Sequence, residues 1–234
     1  MIRLKSIRFG REQLAPGHCL ARHRHLAPYA IVAIRGQFDQ VGYAGRVRLA
    51  AGELLVQPTL DCHTNHMART RGAMIVRLPW SDDDDLGGVF AVRDIDAIAR
   101  AAERDVREAA ELAREQRGPR RSQSADLPDL LATRIAVGEL TSLSAWAERH
   151  GVTRETASRE FTAAFGVSAR QFRSELKARD AWLRIVRTRT PLADIAAATG
   201  FADQAHMTRH VGALTGASPA MWRRDARVAA YRRV

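Results

Sequence analysis

The sequence predicts an α+β protein, with a strand-rich N-terminal part followed by an all-helical C-terminal part. Up to about Trp80 the chain is a series of short apolar segments punctuated by glycine and proline, the mark of strands joined by tight turns. Beyond Val89 apolar residues recur every three or four positions, which is the helical period. The C-terminal part also aligns with itself.

The segments YAIVAIRG, GYAGRVRLAAG, ELLVQP and AMIVRLPW are the expected strands. The acidic run SDDDD, from Ser81 to Asp85, is expected to be a solvated loop that closes this region. From Val89 to Gln116 a helical stripe of Ile95, Ile98, Ala102, Val106 and Ala109 or Ala110 emerges. Such a stripe packs either on the strand region or on a second copy of itself. RGPRRSQSADLP, Arg117 to Pro128, has the composition of a linker. HTNH, from His63 to His66, reads as polar surface on a turn.

With 234 residues, 46% of them apolar, the chain can bury a substantial core. Lys and Arg number 37 against 26 Asp and Glu, a net charge of +11, with a pI near 11.0. That balance favours a polyanionic partner. Only Lys5 and Lys177 are lysines. Two cysteines, Cys19 and Cys62, are too few for a disulfide framework. Nothing at the N-terminus reads as a signal peptide, and no apolar run approaches the roughly 20 residues of a membrane span. A cytoplasmic protein is expected.

The internal match is specific. LSAWAERHG, starting at Leu143, aligns with LADIAAATG, starting at Leu192, and TRETASREFTAAFGVSARQFR aligns with DQAHMTRHVGALTGASPAMWR. Arg159 falls on Arg209, Gly166 on Gly216, Ser168 on Ser218 and Arg173 on Arg223. Each copy predicts a short helix, a turn at Gly151 or Gly200, and a second helix capped by Thr153 or Asp203. That is a helix-turn-helix, twice. Ala157, Phe161 and Ala164 are expected to face inward in the first copy, and Met207, Val211 and Leu214 in the second.

Arg154, Glu155, Ser158, Arg159 and Thr162 then remain outward in one copy, and Gln204, Ala205, Thr208, Arg209 and Gly212 in the other. Short polar groups and an arginine at this spacing reach base edges from a helix in the major groove of double-stranded DNA. Between the copies, ARQFRSELKARDAWLRIVRTR suits a long helix, with Phe172, Leu176, Ala181 or Trp182, Leu183 and Val186 packed inward. From Pro128 onward 17 Lys and Arg face 10 Asp and Glu, so this part carries +7 of the net charge. Phosphate contacts would make affinity fall with salt.

GFADQAHMTRHVGALTGASPAMWRR resembles the C-terminal signature of AraC/XylS-family transcriptional regulators, and the resemblance covers Leu130 to Arg224. It implies two helix-turn-helix units bridged by a long helix, reading adjacent major-groove segments. Carried over by position, DNA contacts fall on Arg154, Glu155, Ser158, Arg159, Gln204, Ala205, Thr208 and Arg209. Val211 stands where the family has phenylalanine and Met207 where it has leucine, both apolar. Ala205 has no hydrogen bond to give. His206 and His210 have no counterparts in the first copy and read as flank or phosphate-facing residues rather than a metal pair.

GHCLARHRHLAPYAIVAIRG, from Gly17 to Gly36, follows the first cupin motif, and GELLVQPTLDCH, from Gly52 to His63, resembles the second, with Pro58 and His63 in place. Strand alternation points His23 and His25 to one side, where His63 joins them as a candidate set for zinc, iron or manganese. Tyr29 stands at the motif's glutamate position and Leu60 at its glycine. Cys62 and His66 are substitute ligand candidates, and Tyr29 and Trp80 are candidate walls of an effector pocket.

These observations predict a cupin-like β-barrel sensing domain at residues 1–86, a helical dimerisation segment at 87–117, a linker at 118–127 and an AraC-type DNA-binding domain at 128–234. The expected protein is a homodimeric transcription regulator, an activator, that engages promoter DNA and RNA polymerase and answers to a small effector or a metal. The rival is a metal-dependent cupin enzyme, a dioxygenase or isomerase, carrying a DNA-binding appendage.

Overall fold

The computed structural model describes residues 3–81, 87–121 and 126–224. Its internal contacts divide the chain into two units, one running to Asp129 and one from Leu130 onward. In the first are β1 (Arg3–Leu4), β2 (Gly10–Leu14), β3 (Cys19–Arg24), β4 (Tyr29–Arg35), β5 (Gln37–Gly42), β6 (Gly45–Ala50), β7 (Glu53–Gln57), β8 (His63–His66), β9 (Ala73–Pro79) and β10 (Gly88–Val92). Helices α1 (Ile95–Arg104) and α2 (Val106–Glu115) and strand β11 (Arg117–Arg120) follow.

The strands form two sheets, a five-stranded one in the order β1-β3-β8-β5-β6 and a six-stranded one in the order β11-β10-β7-β4-β9-β2. This corrects the expected closed barrel: among the described residues the two ladders stay separate and pack by their side chains. Strand β4 shows why its sequence is apolar at almost every position. Tyr29, Ile31 and Ala33 face a core shared with Phe38, Val47 and Leu49 of the five-stranded sheet. Ala30, Val32 and Ile34 face Ile98, Ala101, Ala109 and Ala113 of the helices. A middle layer buried on both faces needs a continuous apolar run rather than an alternating one. Each fully buried Ile, Leu or Val adds about 1.5–3 kcal/mol.

The 89–116 region differs from a single helical segment. It opens as strand β10, and the helix is broken at Asp105, whose N–H donates to the Ala101 carbonyl at 2.8 Å and whose carboxylate accepts from the Arg107 N–H at 2.7 Å. One residue thus ends α1 and caps α2. The Ile98 to Ala113 stripe is buried against the six-stranded sheet, so it is already occupied within one chain, and a dimer would use other faces. Part of the expected linker is β11, paired with β10. HTNH is strand β8, not a turn, because β3 and β5 flank it as partners. Four of the five SDDDD residues, 82–85, lie outside the described residues.

In the second unit the described chain is helical: α3 (Leu127–Ala136, which starts just before the division), α4 (Leu143–Arg149), α5 (Arg154–Phe165), α6 (Ala169–Arg187), α7 (Leu192–Ala198), α8 (Gln204–Thr215) and α9 (Pro219–Arg224). Its core is aromatic. Phe161, Phe165 and Phe172 meet with centroids 4.6 to 5.5 Å apart, and Trp182 meets Trp222 edge-on at 5.5 Å. No helix among the described residues is long and apolar enough to cross a membrane.

Candidate nucleic-acid interface and histidine centre

The two helix pairs repeat in detail. The Thr153 hydroxyl accepts from the Thr156 N–H at 3.1 Å and opens α5; the Asp203 carboxylate accepts from the His206 N–H at 2.6 Å and opens α8. Both helices end on a left-handed glycine, Gly166 at φ 69° and Gly216 at φ 79°, the conformation that glycine adopts without strain. Helices α5 and α8 are each 12 residues long. Between them α6 runs 19 residues, about 28 Å at the helical rise.

The exposure pattern repeats too. Arg154, Glu155 and Arg159 are exposed and Ser158 is half-buried; Gln204, Ala205 and Arg209 are exposed and Thr208 is half-buried. Thr162 is exposed and its counterpart Gly212 half-buried. A shallow groove is lined by Arg154, Glu155, Ser158, Arg159, Thr162 and Ala163. Against this face Ala157, Phe161 and Phe165 are buried in the first copy, and Met207, Val211, Leu214 and Thr215 in the second. Phe165, not Ala164, completes the first buried stripe, because its larger ring reaches Phe172 and leaves Ala164 half-buried.

In the N-terminal unit, His23 on β3 pairs directly across from His63 on β8, which sets their side chains on one face. The ring centroids of His23, His25 and His63 lie 4.4 to 5.7 Å apart. One ligand atom from each falls within 4.8 Å of the others, and all three residues are buried. Each Nδ1–H is committed to a carbonyl: His23 to Ala21 at 2.9 Å, His25 to Lys5 at 2.9 Å and His63 to Asp61 at 3.1 Å. A carbonyl only accepts, so each Nδ1 carries the hydrogen, and a neutral ring held this way keeps its lone pair on Nε2. Burial, then the neighbouring His63, lowers the pKa of His23 to about 3 and that of His25 to about 4. Both are neutral imidazoles, the protonation state a metal requires.

Tyr29 comes to this cluster from the other sheet. Its hydroxyl is hydrogen-bonded with His63 Nε2 at 3.2 Å. Burial, then the nearby Asp61 charge, pushes the phenol pKa up. A cavity of about 370 Å³ reaches the cluster and is lined by Lys5, Arg8, His23, His25, Tyr29 and Arg77 among others.

Residues 146–225 match the family described as "Helix-turn-helix domain". These residues form a helix-turn-helix domain. No curated protein matches the chain. Among solved structures, the C-terminal domain of AraT, a response regulator from Geobacillus stearothermophilus, is 21% identical, with 44% of this chain and 88% of that chain covered and a TM-score of 0.40. Unsaturated-fatty-acid-bound ToxT from Vibrio cholerae is 10% identical, with 91% and 93% covered and a TM-score of 0.38. The DNA-binding domain of AdpA in complex with a target DNA is 24% identical, with 47% and 95% covered and a TM-score of 0.38.

Inside the helix-turn-helix domain, the connecting helix α6 buries Phe172, Ala181, Trp182 and Val186 as expected, but not Leu176 and Leu183. Ala178, Trp182, Ile185 and Val186 are buried with Phe172, whereas Leu176 and Leu183 are half-buried. His206 and His210 pack on Phe201, with centroids at 5.3 and 5.5 Å. Burial, then His206, lowers the His210 pKa.

Two corrections concern the N-terminal unit. Trp80 does not share the Tyr29 cavity: it belongs to the opposite core with α1 and α2, under the Arg114 guanidinium at 4.5 Å. Cys62 is buried and its thiol faces the Leu60 carbonyl at 3.8 Å. The exposed Cys19 faces His66 at 3.2 Å; neither Cys62 nor His66 joins the three-histidine group. Sequence reasoning missed Asp61, which is buried, accepts from the Tyr43 N–H at 2.8 Å and holds a carboxylate oxygen 3.5 Å from His63 Nδ1. Burial alone would raise its pKa; His63, the Tyr43 N–H and Arg22 outweigh that and hold it low. The signal was Asp61-x-His63, the alternation that also joined His23 to His25.

Proposed function

We propose that the chain is a sequence-specific double-stranded-DNA-binding transcription regulator of AraC/XylS type. It acts in the cytoplasm as a homodimeric activator that contacts RNA polymerase, and a small effector or a divalent metal such as zinc, iron or manganese controls it from the N-terminal domain. The observation that carries this reading is the doubled register of exposed groups on two equally long, equally capped helices. Arg154, Glu155, Ser158 and Arg159 read one major-groove segment, and Gln204, Ala205, Thr208 and Arg209 the next. Arginine pairs with guanine and glutamine with adenine, while Ala205 offers only contact to a thymine methyl. Helix α6 is of the right order to set the two readers near one turn of DNA apart.

The N-terminal domain supplies the input. A ligand that binds one arrangement of the dimer better than another shifts which pair of half-sites both protomers reach together. Selection of bound sequences from a random duplex library, followed by gel shifts on the selected site, tests the reading. Arg159→Ala and Arg209→Ala should each weaken specific binding by about 1–3 kcal/mol. Parental affinity in both would mean that α5 and α8 do not face DNA.

The three convergent imidazole nitrogens favour one second reading, a metal-dependent enzyme with a DNA-binding appendage. His23→Ala and His63→Ala separate the two. Under the regulator reading with a metal input, metal content and promoter response are lost together. An unchanged promoter response with metal lost would assign the metal to chemistry instead.

A further inference from the structure

We infer that the cavity beside the histidine group binds a small monocarboxylic acid that carries a hydroxyl group on a short apolar body. The inference rests on the effector reading of the N-terminal domain given above, and it names the chemical class of that effector.

The cavity, of about 370 Å³, lies at the small end of ligand pockets, which run from about 300 to 1,000 Å³. Its wall is mixed in exposure: Lys5 is half-buried and Arg8 exposed, whereas Tyr29 and Asn65 are buried. The more exposed part is cationic. Lys5, Arg8, Arg11 and Arg77 line the cavity, and among the described residues Glu12 is the one acid beside them. Arg77 is paired with Glu12, and Arg11 with Glu103 at 2.9 Å. Neither Lys5 nor Arg8 has a side-chain partner among the described residues, so two positive charges in this wall stand uncompensated. Lys5 is also fixed at its root: its N–H donates to the Arg24 carbonyl and its carbonyl accepts from His25 Nδ1, both at 2.9 Å. A carboxylate satisfies such cations through charge-assisted hydrogen bonds. The Glu12 oxygens in the same wall repel a second negative charge, which favours a carboxylate over a phosphate dianion.

The buried part of the wall asks for a hydrogen-bond donor. Asn65 donates from Nδ2 to Gln40 Oε1 at 3.5 Å, and its Oδ1 has no partner although the residue is only 4% exposed. A buried acceptor left unpaired is costly, and it marks where a donor is missing. A ligand hydroxyl supplies that donor, whereas an ammonium group would be repelled by Lys5 and Arg8. Ile7, Phe9 and Leu20 in the same wall give the rest of the ligand an apolar surface to cover.

The test is calorimetric titration of the full chain with ω-hydroxyalkanoates from butanoate to octanoate, in the presence of a chelator so that no ion on the imidazoles holds the acid. At the length that binds best, the matched alkanoate and the matched ω-hydroxyalkanamide follow. Loss of the hydroxyl and loss of the charge should each weaken binding roughly tenfold. The double variant Lys5→Gln/Arg8→Gln should bring the acid down to the level of the amide, and Asn65→Ala should bring the hydroxy acid down to the level of the alkanoate. The comparison of compounds on the parent chain decides the matter even where a variant fails to fold. No binding at any length, an amide as tight as the acid, or an alkanoate as tight as the hydroxy acid overturns the inference. Inorganic phosphate competing on equal terms overturns it in favour of adventitious anion capture. Gel shifts with the same compounds separate this inference from the effector reading. An acid that binds without changing DNA affinity keeps the site and overturns the acid's role as effector; a DNA response to the amide, with no binding of the acid, does the reverse.

Discussion

Acid should destabilise the metal-free N-terminal domain through His23 and His25, and the size of the effect follows from their burial. Unfolded imidazoles take up protons below about pH 6.5. In the folded chain burial, then His63, keeps His23 neutral down to about 3 and His25 down to about 4. The unfolded state therefore binds more protons over the interval, so stability falls as pH drops below about 6.5 and the fall ends near the folded values. Between pH 7 and pH 5 each residue contributes a loss of about 2 kcal/mol, about 4 kcal/mol together. With denaturant slopes of about 1–3 kcal/mol per molar for urea, that moves a midpoint on the order of 2 M. The assay is urea denaturation of the metal-free chain at the two pH values, for the parent and a His23→Gln/His25→Gln double variant. Comparing the pH dependence of the two cancels the titrating groups that are not coupled to these rings. Equal losses in parent and double variant would falsify the claim that these rings are held neutral.

The repeat provides a matched pair of glycines. Gly151 at φ 68° and Gly200 at φ 71° hold equivalent turns, so Gly151→Ala and Gly200→Ala should each lower stability by about 1 kcal/mol in thermal denaturation. A methyl at Gly200 would lie 2.9 Å from Lys177 Nζ, which donates to the Gly200 carbonyl at 2.6 Å; that head is free to swing, so a gap of several kcal/mol between the variants would refute the equivalence. Trp80→Ala should cost about 3–5 kcal/mol and leave metal stoichiometry unchanged, because Trp80 packs under α2 on the far face of the sheet. Metal loss from a folded Trp80 variant would tie the two faces together.

Helices α5 and α8 were legible in the sequence because the chain states the same pattern twice. One copy of polar residues at helical spacing is ambiguous, but Arg159 over Arg209 and Gly166 over Gly216 fix register, cap and face at once. The His23, His25 and His63 set was legible from strand alternation and the second motif. What stayed hidden depended on partners distant in sequence. Nothing local distinguishes HTNH as a strand, since its conformation comes from β3 and β5 on either side. The stripe of α1 and α2 left two partners open, and the six-stranded sheet took it. Trp80 was assigned to the wrong face because its position relative to Tyr29 depends on which side of β9 and β4 each side chain leaves, and Trp80 lies just past the end of β9.

Both departures from the cupin pattern alter a side chain while the backbone keeps a geometry the site uses. Leu60 stands at the pattern's glycine and has φ 58°, a left-handed setting that costs a non-glycine residue about 1–2 kcal/mol. Its side chain is fully buried, and that burial offsets the cost by about 1.5–3 kcal/mol. The turn it occupies is fastened to the cluster, since the Leu60 N–H donates to the His25 carbonyl at 2.9 Å and the Asp61 N–H to the Pro58 carbonyl at 3.2 Å. One tight turn thus sets Asp61 behind His63 and ties the strand carrying His63 to the residue that carries the second imidazole. Tyr29 is the same kind of change: at the pattern's glutamate position it still places an oxygen beside His63 Nε2. Compared letter by letter, the two motifs fail at two positions, yet the two sheets bring three imidazoles and a phenol oxygen to one point.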